Sequence, residues 1–177
     1  MKTYIALFRG INVGGNNILP MKGLVEVLAK MGLENVQTYI QSGNVTFSSN
    51  QFDSNQLAYE ISRNIFHKFG FEPKILILSS ADLKKTIDNN PFPVETGKLL
   101  HFFFLSKPSK VPDLEQILKL KSESEEFKLT EKVFYLFAPE GIGRSKLAAK
   151  VERCLGVSVT ARNWNTISKI ISMIDTK

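Results

Sequence analysis

A chain of 177 residues, 43% hydrophobic and 23% charged, has an ordinary globular composition, with room for one domain or two small halves packed together. No apolar run approaches the roughly 20 residues of a membrane helix, the start lacks a signal-peptide pattern, and a sole cysteine, Cys154, excludes an intramolecular disulfide. The composition points to a soluble cytoplasmic protein without a membrane partner, and the net charge of +6 admits an anionic one, a small ligand before a nucleic acid.

Tyr4 to Phe8 has no polar face and reads as a strand buried on both sides. The loop Arg9-Gly10-Ile11-Asn12-Val13-Gly14-Gly15-Asn16-Asn17 follows, and Pro20 opens a helix with Met21, Leu24, Val25, Leu28 and Met31 inward and Gly32 at its end. Val36–Gln41 and Val45–Phe47 read as strands joined through Ser42-Gly43-Asn44. Asp53 and Gln56 resemble a capping box for a helix with Leu57, Ala58, Ile61, Ile65 and Phe69 inward, ended by Gly70. Lys74–Leu78 is the next strand, and Ser80 is placed to cap a connecting helix that stops at Asn89-Asn90-Pro91.

The order then begins again. Leu99–Leu105 is a strand, Leu114, Ile117 and Leu118 mark a helix, and Phe127–Leu129 with Val133–Phe137 form a hairpin. Ser145 caps a helix with Leu147, Val151, Cys154 and Leu155 inward and Gly156 at its end. Val157–Val159 is a strand, and a final helix carries Ile167, Ile170, Ile171 and Ile174. Element order, not sequence, repeats. The expected fold is α+β: two ferredoxin-like βαββαβ halves, residues 1–79 and 98–177, joined by a connecting helix and loop over 80–97 and followed by a C-terminal helix.

That topology gathers the unusual residues at sheet ends. The loop Arg9 to Asn17 should lie beside Thr38 to Asn44, collecting Arg9, Gly10, Asn12, Gly14, Gly15, Tyr39, Ser42 and Asn44. In the second half Gly141 to Lys146 should lie near Thr160 to Thr166, collecting Arg144, Ser145, Lys146, Arg162, Asn163, Trp164 and Asn165. Glycine lets backbone amides approach an anion closely, and guanidinium is a planar fork for phosphate or carboxylate. The second loop is also expected to open a helix and offer free N–H groups. The plainer reading of both is that the glycines make tight turns and the amides cap helices.

Other residues offer less. Neither loop has the spacing of a dinucleotide fingerprint or a P-loop, so no cofactor is identified. Trp164 suits either stacking on a base or anchoring a helix in the core. Cys154 falls on an inward helix stripe. His67 and His101 stand apart from other ligand types, so no metal site is expected. Glu140 and Tyr39 are the provisional acid–base groups, and no triad or paired-carboxylate motif assigns a reaction. Lys107, Lys110, Lys119, Lys121, Lys128 and Lys132 fall in turns or on polar faces and read as solvated surface. Strands apolar on both faces cannot form an open aromatic platform for RNA.

Five blocks together carry a resemblance: Ala6-Leu7-Phe8-Arg9-Gly10-Ile11-Asn12-Val13-Gly14-Gly15, Thr38-Tyr39-Ile40-Gln41-Ser42-Gly43-Asn44-Val45, Asn90-Pro91-Phe92, Gly143-Arg144-Ser145-Lys146-Leu147, and Thr160-Ala161-Arg162-Asn163-Trp164-Asn165-Thr166. In that order they are similar to a bacterial family known only as domain-of-unknown-function family 1697. Residue 8 departs from it, being phenylalanine where an aliphatic side chain is expected. The resemblance implies a soluble α+β bacterial protein of unassigned activity and supplies no catalytic residues. The leading functional expectation is a binder of a small anion, a nucleotide or phosphorylated metabolite. The alternatives are a nucleic-acid-associated protein and a transferase or hydrolase acting on a phosphorylated substrate.

Overall fold

The computed structural model describes residues 1–175; positions 176 and 177, the end of the expected second half, lie outside them. Among the described residues the chain forms eight strands and six α-helices, with the strands in two four-stranded antiparallel sheets, an α+β architecture. Compactness separates residues 1–87 together with the segment from 169 onward as one unit, and residues 88–168 as another. No helix among the described residues is long and apolar enough to cross a membrane.

The first unit runs β1 (Lys2–Arg9), α1 (Met21–Lys30), β2 (Glu34–Tyr39), β3 (Asn44–Ser49), α2 (Ser54–Phe69), β4 (Lys74–Ser79) and α3 (Ser80–Asp88, whose last residue falls in the other unit). Sheet order is β2-β3-β1-β4, so β1 is flanked by β3 and β4, and its residues Tyr4 to Phe8 are all buried. Tyr4, Ala6 and Phe8 join Leu24 and Leu28 of α1 and Ile61 of α2 in one core. Ile5 and Leu7, which alternate with them, are fully buried too, which is why the strand carries no polar face.

Asp53 caps α2 by accepting from the amides of Asn55 and Gln56, at 2.9 and 3.1 Å. The Gln56 side chain turns forward to Glu60 instead of closing the box. The cap of α3 is Ser79, whose Oγ accepts from the Asp82 amide at 3.0 Å, not Ser80. Ser79 ends β4, and its extended backbone lets the hydroxyl reach over the first turn.

The second unit runs β5 (Leu100–Leu105), α4 (Leu114–Leu120), β6 (Glu126–Leu129), β7 (Val133–Phe137), α5 (Val151–Leu155) and β8 (Val159–Asn163), in sheet order β6-β7-β5-β8. α6 (Trp164–Asp175) begins in this unit and ends in the first. The core holds Phe103, Phe134, Leu136, Ile117, Leu147 and Val151. Helix α4 has only two turns and docks through Ile117 and Leu120, leaving the expected inward residues Leu114 and Leu118 exposed. β8 begins at Val159 and continues to Asn163, displaced toward the C-terminus from the expected strand Val157–Val159. β5 offers bonding partners as far back as His101, and Thr160 to Asn163 take them despite their polar composition.

Candidate functional site

In the first unit the glycine-rich loop does meet the β2–β3 hairpin. The Phe8 amide donates to the Gly43 carbonyl at 2.8 Å, and Asn12 Nδ2 donates to the Gln41 carbonyl at 2.8 Å. Asn12 also accepts from the Leu19 amide at 2.7 Å and donates to its carbonyl at 3.0 Å, tying the two ends of the loop together. Asn17 Nδ2 donates to the Gly10 carbonyl, and the Asn12 amide donates to the Asn17 carbonyl. Asn44, fully buried, donates to the Tyr39 carbonyl and to Ser42 Oγ. These carboxamides are engaged in holding the turns. Gly10, Gly14 and Gly15 all have positive φ and supply the path of the loop. Arg9 ends β1 half-buried, opposite Lys74 of β4. The structure therefore brings the eight predicted residues of this half to one end of the sheet, with most of their polar groups bonded within the chain.

The second cluster is arranged differently. Gly141, with φ of 92°, starts a short 3-10 turn over Ile142–Arg144. The Arg144 amide is bonded to the Gly141 carbonyl and the Ser145 amide to that of Ile142. Buried Ser145 accepts from the Ala148 amide at 2.9 Å. The segment does not open a long helix with free amides, because α5 begins only at Val151 and has five residues. What the turn does is project Arg144 and Lys146 as exposed side chains.

Those two cations line a cavity of about 250 Å³ with Lys119, Lys121, Glu125 and Glu140. Topology explains the meeting: Glu126 pairs with Phe137, so the chain entering β6 and the chain leaving β7 lie at the same sheet end. Lys121 Nζ donates to the Ser122 and Glu125 carbonyls, at 3.0 and 2.7 Å, and closes the turn between α4 and β6. Glu125 is only 4% exposed, and its Oε2 accepts from the Ser122 amide at 3.0 Å. Glu140 Oε1 accepts from Ser124 Oγ at 3.1 Å. Among the described residues neither carboxylate forms an ion pair with a cavity cation.

Sequence reasoning missed Lys119, Lys121 and Glu125. By sequence alone the first two read as solvated surface. The signal was Lys119-Leu120-Lys121 immediately before a Ser-rich turn, five residues ahead of a strand whose partner leads into the loop Gly141 to Lys146.

Arg162, Asn163, Trp164 and Asn165 are not among the residues lining this cavity. Arg162 lies on β8, opposite Phe102, and donates to the Ala161 carbonyl at 2.8 Å; burial pushes its guanidinium down to about 10. Asn163 caps α6 by accepting from the Thr166 amide at 3.0 Å. Trp164 stacks on Phe102 with ring centroids 6.0 Å apart, the core-anchoring arrangement. Asn165 sits with Trp164 against Gly97, where any side chain would collide with both. Cys154 is buried, and burial raises its thiol above the ordinary range. Among the described residues no group of three or more His, Cys, Asp or Glu could hold a metal ion.

The chain belongs to the family described as Protein of unknown function (DUF1697), whose model matches residues 1–135. Among solved structures it is similar to the conserved bacterial protein SP0830 from Streptococcus pneumoniae, with a TM-score of 0.71 and 27% identity, covering 97% of this chain and 98% of that one. No curated protein matches the chain. The family match ends within β7, before the loop Gly141 to Lys146 begins.

Proposed function

We propose, on the premise that this family has no assigned activity, that the protein binds a small anionic ligand of the phosphate-ester class in the cavity of its second unit. The observation that carries this reading is the gathering of Lys119, Lys121, Arg144 and Lys146 around one cavity from two separate chain segments. Like charges held together repel, and a dianionic ligand relieves that repulsion while its oxygens accept from guanidinium and ammonium. The first loop cluster then serves as a built end of the sheet and not as the principal binding surface, since its carboxamides already bond within the chain.

Two accompanying inferences belong to the same reading. Each unit is a ferredoxin-like βαββαβ sandwich, supported by the matching orders β2-β3-β1-β4 and β6-β7-β5-β8. The protein works in a reducing cytoplasm, supported by a sole, buried cysteine.

The test is a thermal-shift panel of inorganic phosphate, phosphate monoesters and nucleotides. A ligand present at about 100 times its Kd stabilises the native state by about 2.7 kcal/mol. Replacing Arg144 and Lys146 together by alanine should abolish the shift with little loss of stability, because both side chains are exposed. No shift with any anion at millimolar concentration, or a shift that survives the double substitution, would overturn the assignment.

A further inference from the structure

The cavity holds more than cations. Glu125 and Glu140 line it beside the four basic residues, and an ionised carboxylate can only accept hydrogen bonds. A phosphate group, itself almost entirely an acceptor, gives them nothing. We infer that, granted the anion-binding reading above, the ligand is a small phosphorylated polyol of the sugar-phosphate class. Its phosphate meets Arg144 and Lys146, and its hydroxyls donate to Glu125 and Glu140.

Three observations converge on this chemistry. First, the carboxylates are not spent on the neighbouring cations. No ion pair among the described residues joins them, and each is instead fixed by a local donor, Ser122 N–H on Glu125 and Ser124 Oγ on Glu140. Glu125 is 4% exposed and held by the Ser122 amide, so its carboxylate is fixed in place at the cavity wall.

Second, the charges balance for a dianion. Four cations against two carboxylates leave an excess of two positive charges, which matches the charge of a phosphate monoester near neutral pH. A neutral polyol on that phosphate keeps the match, whereas an amine-bearing phosphate brings a cation that lowers it. Third, the cavity of about 250 Å³ lies below the roughly 300 Å³ at which sites for drug-sized ligands begin. That fits a short sugar phosphate.

The experiment measures binding by calorimetry on the full chain with four probes: inorganic phosphate, methyl phosphate, ribose 5-phosphate and phosphoethanolamine. Ribose 5-phosphate should bind about tenfold or more tighter than methyl phosphate, the scale of a charge-assisted hydrogen bond. Glu140→Gln should erase most of that preference. Glu140 is on the surface, so this variant keeps the test sharp even if Glu125→Gln fails to fold. Equal affinity for methyl phosphate and ribose 5-phosphate overturns the polyol inference and leaves anion binding standing. Tighter binding of phosphoethanolamine overturns it in favour of a zwitterion. Binding of none of the four removes both readings together.

Discussion

Gly43 packs against Phe8 and Ile11 at the end of the first sheet, and replacing it with alanine isolates that contact. A Cβ built there lies 2.5 Å from Phe8 Cβ and 2.6 Å from Ile11 Cδ1, both far inside van der Waals contact. Phe8 Cβ is attached directly to the central strand and cannot swing aside. Ile11 is buried. The backbone at Gly43 has φ of 76°, which costs an L-residue roughly 1–2 kcal/mol. Overpacking adds about 1–3 kcal/mol. Gly43→Ala should therefore lose about 2–5 kcal/mol, and two controls divide that loss. At Gly14, φ is 56° but the nearest atom to a new Cβ is 3.9 Å away, so alanine there pays the backbone cost alone. At Gly143 nothing lies within 4 Å and φ is not positive, so alanine should be neutral. Urea unfolding followed by circular dichroism measures all three as midpoint shifts at constant slope. If Gly43→Ala costs no more than Gly14→Ala, the close packing of hairpin against strand is wrong.

Two further predictions concern the second unit. Burial holds His101 below the ordinary histidine range, against the raising effect of its hydrogen bond to the Lys98 carbonyl at 3.0 Å. The unfolded chain thus takes up this proton first, and stability should fall as the pH drops below about 6.5; His101→Gln should flatten the pH dependence of the urea midpoint, and an unchanged slope would refute the assignment. Gly97→Ala would set a Cβ 2.8 Å from Trp164 Cδ1 and against the Asn165 side chain, costing about 1–3 kcal/mol. The chain has one tryptophan, so its emission reports the displacement directly, and an unmoved spectrum with unchanged stability would count against it.

The sequence by itself determined the elements and their order, because periodicity is a local property. Tyr4 to Phe8 read as a strand buried on both faces, and Gly70 and Gly156 end α2 and α5 in the left-handed conformation that favours glycine. It also located the first loop beside its hairpin, since hairpins and right-handed crossovers limit where a strand can end. Tertiary structure decided the rest. Whether Asn12 is free for a ligand depends on where the Gln41 and Leu19 carbonyls lie, and they occupy it. The strand character of Thr160 to Asn163 was invisible in their polar side chains and came from β5, whose backbone needed partners. The composition of the cavity was the least legible feature. Lys119 and Glu125 stand about 20 residues from Arg144 and carry no pattern that links them. Only the pairing of β6 with β7 brings the two segments together and turns surface lysines into the lining of a site.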